Sequence, residues 1–156
     1  MRIENITKEL KEASFEYFYW FSRFEFVLKE NGFLKNKEEG SRAEPSWEHF
    51  KKQFKTDYNA SPEALQLIDL HPKRQLVSAG GELIWQPVGL EHCDNDFCKV
   101  ITMLLTVRNN LFHGGKHGDN DQDSVKRNLI LLTLSKVILD QFARDFDFEN
   151  DYTRYY

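Results

Sequence analysis

The chain has 156 residues, 40% hydrophobic and 29% charged, which suits one globular domain with a real core. Its aromatic share of 14% argues against disorder, because such rings bury enough surface to offset the entropy of ordering. A net charge of −4 speaks against a broad, sequence-blind grip on nucleic acid, so any such contact has to be local.

The opening stretch MRIENITKELKEA mixes charges and has no apolar targeting core. No run approaches the ~20 apolar residues of a membrane span. The two cysteines, Cys93 and Cys98, are too few for a disulfide framework and do not form a C-x-x-C pair. The expectation is a reduced, cytoplasmic protein with no membrane segment.

Residues 3 to about 30 predict a long helix. Ile3, Ile6, Leu10, Ala13, Tyr17, Trp20, Phe24 and Val27 alternate spacings of three and four, which is one helix face. Phe15, Phe18, Phe21 and Phe26 fall outside that stripe and predict burial on more than one side. Asn31-Gly32 supplies the stop. KNKEEGSRAE (35–44) is a polar connector, and PSWEHFKKQF (45–54) predicts a short helix. Ser61-Pro62 pairs an N-cap with proline at the first helical position, for a helix ending by His71 ahead of Pro72. LVSAGGELIW (76–85) admits a small hairpin about Gly80-Gly81. Asp94 and Asp96 are candidate caps for a helix over about 96–113, and 114–123 reads as a loop. Asp123 or Ser124 would cap a last helix to about 143. Its segment NLILLTLSKVIL is apolar nearly all round, as in a helix deep in a bundle or at a subunit interface.

The chemistry gathers at VRNNLFHGGKH (107–117). On a wheel of the preceding helix, Arg108 falls ~20° from the centre of the apolar stripe. Asn109 and His113 lie one turn apart at its margin, where their side chains can touch. An arginine on an apolar face needs a carboxylate or a phosphate, since it does not shed its proton. Two readings stand: an internal salt bridge, with Glu25 as one partner, or an anion site at a seam between helices or subunits. His113 sits in a last helical turn, whose dipole favours its charged form. Gly114-Gly115 ends the helix and permits close approach of a ligand, and Lys116 adds positive charge. Arginine, asparagine, histidine and lysine together suit binding of a phosphodiester and movement of a proton.

RNNLFH has the Arg-x4-His form of the HEPN signature, with a polar residue, Asn109, after the arginine. The following Gly-Gly, the apolar helix before it and RFEFVLKENGF (23–33) in an aromatic first helix also resemble HEPN proteins. The resemblance runs over most of the chain in helix order. It implies an all-α, up-down helical bundle forming one domain over 1–156, with an insertion at about 35–90 holding the extra short helices and the hairpin. It further implies a homodimer whose seam carries the motif from both subunits. Many such proteins are metal-independent endoribonucleases of toxin–antitoxin or defence systems; others bind nucleotides or are inactive partners.

If the chain is such a ribonuclease, the RNA 2′-hydroxyl is the nucleophile and a 2′,3′-cyclic phosphate the product. His113 is then the general acid or base, Arg108 the phosphate clamp, and Asn109 orients the histidine or touches phosphate. Gly114, Gly115, Lys116 and His117 are candidate RNA- or phosphate-binding residues. RNA and a cognate antitoxin are the expected partners, with no cofactor and no metal. The alternatives are a non-catalytic nucleotide- or RNA-binding module and a purely structural dimer.

Competing motifs fit less well. His92, Cys93 and Cys98 match no zinc spacing and read as buried thiols. Gly114-Gly115 interrupts an i, i+4 metal pair of His113 and His117. DNDQDS (119–124) lacks the glycine and the final glutamate of a calcium loop. Lys126 and Arg127 admit two readings, the wall of an RNA path or a solvated face, of which the second is the ordinary one.

Overall fold

Thr7 starts the first helix by accepting a hydrogen bond from the Leu10 N–H through its side chain. Helix α1 then runs Lys8–Glu30 and ends where the sequence places its stop. Gly32 takes φ +77°, and the N–H groups of Gly32 and Phe33 return to the carbonyls of Lys29 and Leu28. This computed structural model describes residues 6–112 and 122–154; side chains at 122–124 lie outside the description. Among the described residues the chain is predominantly helical, with six helices and one two-stranded antiparallel sheet.

The polar connector closes on itself. Leu34 bridges Pro45, and Lys35 pairs with Glu44 at 2.9 Å. Ser46 caps α2 (Trp47–Phe54), and Ser61 caps α3 (Pro62–Leu70) with proline in its first turn. His71 leaves α3 in a left-handed conformation at φ 45°. The strands β1 (Lys73–Val77) and β2 (Leu83–Pro87) pair from Lys73–Pro87 to Val77–Leu83, so the hairpin is longer than 76–85 suggests. Helix α4 covers Asp96–Phe112. Its cap is Asn95, whose Oδ1 accepts from the Cys98 N–H at 2.9 Å, rather than Asp94 or Asp96. Helix α5 spans Gln122–Asp145, starting just before the proposed caps Asp123 and Ser124. A short α6 (Glu149–Thr153), which the sequence pattern does not announce, follows a second left-handed turn at Asp147.

Helix α1 packs most extensively along α5. The buried side chains form one core, whose centre is aromatic: Phe24, Phe50, Phe97 and Phe142 are each almost fully enclosed. Their rings meet mostly edge to face or tilted, at 5.3–6.0 Å between centroids, the arrangement that ring quadrupoles favour. Phe21 belongs to this core, but Phe15 and Phe18 are 63% and 42% exposed, against the expectation of burial. The apolar segment of α5 is buried against its own chain through Leu131, Leu132, Leu134, Ile138 and Leu139. No helix among the described residues is long and apolar enough to cross a membrane.

Candidate functional site

Val107 and Thr106 are buried, and the last turn of α4 rises out of the core from there. Arg108 is half-buried. Its guanidinium carbon lies 5.6 Å from the ring centre of Phe21 and 4.9 Å from that of Phe112. Ring faces hold a cation by their quadrupole, worth about 0.5–2 kcal/mol, without consuming its hydrogen-bond donors. Nη1 donates to Asn109 Oδ1 at 3.0 Å, and Nε is buried without a hydrogen-bond partner among the described residues.

Among the described residues no carboxylate forms an ion pair with Arg108. Glu25, the partner offered by the sequence, instead accepts a hydrogen bond from the Trp47 indole at 3.2 Å. Both charges are felt by Tyr17, which lies fully buried and donates to the Leu104 carbonyl at 2.7 Å. Burial pushes the Tyr17 phenol well above its ordinary value. The Ser135 hydroxyl and the Arg108 charge oppose that rise, and Glu25 adds to it.

Asn109 is exposed and lines a cleft of about 420 Å³. Accepting from Arg108 fixes its amide with the oxygen occupied, leaving the Nδ2 donor for a ligand. Lys51, Arg74, His92 and Thr102 line the same cleft, so its far wall comes from α2, β1 and the segment before α4. Arg74 is exposed, whereas Lys51 is held by Glu48 at 2.5 Å. Asn110 donates to the Lys73 carbonyl at 2.7 Å and fastens the hairpin beside the end of α4. Residues between 35 and 90 therefore build part of the cleft wall. Sequence reasoning missed Lys51 and Arg74 and weighed His92 only as a zinc ligand, because the three are far apart in the chain and share no periodicity.

His113, Gly114, Gly115, Lys116 and His117 lie outside the described residues, so Arg108 and Asn109 alone of the predicted site are placed. These two are joined by the Nη1–Oδ1 hydrogen bond: the guanidinium lies against the rings of Phe21 and Phe112, and Asn109 lines the cleft. Lys126 is exposed, while Arg127 is half-buried and donates to the Leu70 carbonyl. The cysteines also depart from expectation. Cys93 and Cys98 are joined as a disulfide, so the His92–Cys93–Cys98 cluster offers no pair of thiolates in this state.

The aromatic flank beside Arg108 is open to solvent. Phe18 and Phe112 touch at 5.2 Å between ring centres, and Phe112 is 49% exposed. Phe15 and Tyr19 stack next to them. No protein-family model, no curated protein and no solved structure matches the chain.

Proposed function

We propose that the protein is a HEPN-type, metal-independent endoribonuclease acting as a homodimer in the cytoplasm. The observation that supports this reading best is the setting of Arg108. It is a permanent cation gripped by two rings and an amide, without a carboxylate among the described residues, at the point where the Arg-x4-His motif begins. A phosphodiester supplies the anion that such a group lacks. The exposed Phe15, Phe18, Tyr19 and Phe112 offer a second copy an apolar surface next to that arginine. A two-fold contact there would bring two motif ends to one seam.

In the reaction, the 2′-oxygen attacks the adjacent phosphorus and the 5′-oxygen leaves, giving a 2′,3′-cyclic phosphate. One His113 accepts the 2′-proton and the other protonates the leaving oxygen. Arg108 neutralises charge on the pentavalent phosphorus. Asn109 contributes its Nδ2 donor to the strand. The role as a toxin or defence effector, with a cognate antitoxin, rests on the resemblance alone.

The decisive experiment incubates mixed RNAs with the protein in EDTA, beside His113→Ala and Arg108→Ala. Cleavage by the parent alone, with cyclic phosphate ends, is the expected result. Equal cleavage by all three, or a requirement for metal, rejects the proposal. A second reading, a non-catalytic nucleotide-binding module, draws support from the cleft, whose volume of about 420 Å³ suits one nucleotide. Tight mononucleotide binding without cleavage favours that alternative.

A further inference from the structure

The Cys93–Cys98 pair is built asymmetrically. Cys98 is buried in the first turn of α4, with its N–H capped by Asn95. Its sulfur lies 3.8 Å from the Lys51 ammonium. Cys93 precedes the helix and is half-buried, with its sulfur 3.6 Å from the Thr102 hydroxyl. His92, exposed beside it, comes within 3.5 Å of the same hydroxyl. The Glu48 carboxylate also faces Lys51, but its side chain is 71% exposed, whereas that of Lys51 is 14% exposed. Glu48 thus holds Lys51 from the solvent side, where water screens the carboxylate, and the ammonium stays placed to stabilise charge that develops on Cys98.

From this asymmetry we infer that Cys93–Cys98 is a thiol–disulfide exchange site, attacked at Cys93 and releasing Cys98. Reaction needs an accessible sulfur to attack and a stabilised thiolate to leave. Cys93 meets the first condition. Cys98 meets the second, since an ammonium and the positive end of α4 both favour its anion. The co-reactant is a low-molecular-weight thiol or a protein dithiol. Its thiolate bonds to the Cys93 sulfur, and the S–S electron pair moves onto Cys98. A second thiolate then attacks the reductant's sulfur in this mixed disulfide and expels the Cys93 thiolate, which takes a proton. Two electrons pass to the pair, and the reductant leaves as its own disulfide. Because Lys51 and His92 line the cleft that holds Asn109, the exchange changes the charge on the wall opposite the motif.

The test uses the full oxidised chain and reduced glutathione without denaturant. Mixed disulfides are trapped by acid, alkylated and mapped by mass spectrometry. The expected adduct is on Cys93, with Cys98 alkylated. Lys51→Gln is expected to slow reduction roughly three- to tenfold, and Lys51→Arg to restore the parental rate. Circular dichroism establishes that each variant is folded. An adduct on Cys98, reduction only after unfolding, or failure of the parent to form the pair with oxidised glutathione overturns the proposal. So does an unchanged rate in folded Lys51→Gln. Because the readout is a sulfur adduct and not RNA cleavage, the result stands apart from the nuclease reading.

Discussion

Two arginines sit against aromatic rings that include residues of α1, and their surroundings differ in kind. Arg23 is 6% exposed. Its Nε donates to the Tyr152 carbonyl, and Nη2 donates to those of Asp151 and Arg154. The guanidinium thus closes the end of α6 and binds the C-terminal segment to the first helix. Arg108 has ring faces and one side-chain amide, with no backbone carbonyl among the described residues. One cation is spent on the fold; the other is oriented by contacts that leave it able to take an anion. A buried positive charge marks a ligand site only after its acceptors have been located.

Mutation separates the two roles. The largest effect belongs to the motif: His113→Ala is expected to lower RNA cleavage ~10²–10⁴-fold, and Arg108→Ala by a comparable factor, with little change in the urea midpoint. Arg23→Ala should do the reverse. Leaving buried carbonyls unpaired costs about 3 kcal/mol, read as a lower urea midpoint, while cleavage per folded molecule persists. If both arginine variants unfold alike, the distinction fails. Asn109→Ala, which removes the amide that Arg108 orients, should cost about tenfold in cleavage or about 1.4 kcal/mol.

The smallest effect concerns Tyr17, Tyr58 and Tyr152, whose phenols burial pushes upward. The unfolded chain ionises its tyrosines above about pH 10, whereas the folded chain resists. Their contribution is complete below that pH and is lost as pH climbs past it. Urea midpoints should therefore fall between about pH 9 and 11, measured from the tyrosine reference value. Tyr17→Phe should flatten the fall and cost about 1 kcal/mol at neutral pH through the lost Leu104 hydrogen bond.

Local signals were legible in the sequence. Ser61-Pro62 and Asn31-Gly32 mark helix ends because capping and left-handed turns depend on the residues at those positions. Gly80-Gly81 lies in the hairpin turn for the same reason; Gly81 takes φ +83°. Tertiary choices were less legible. Phe15 and Phe18 read as core but face solvent, because periodicity gives relative directions on a helix and does not say how many sides find a partner. Arg23 gave no sign of its task, since the carbonyls it meets belong to a five-residue helix and the residue after it, more than a hundred positions away. Arg108 was legible as a cation out of place. Its ring partners and the cleft wall of Lys51, Arg74 and His92 were not, because chain-distant segments assemble them.

The short bridge from Asn110 to the Lys73 carbonyl makes the hairpin a handle on the last turn of α4. Val77 and Leu83 sit on that handle, 69% and 58% exposed. A molecule grasping them applies its pull one residue from Asn109 and two from Arg108. Strain on the hairpin therefore reaches the end of α4 without anything entering the cleft.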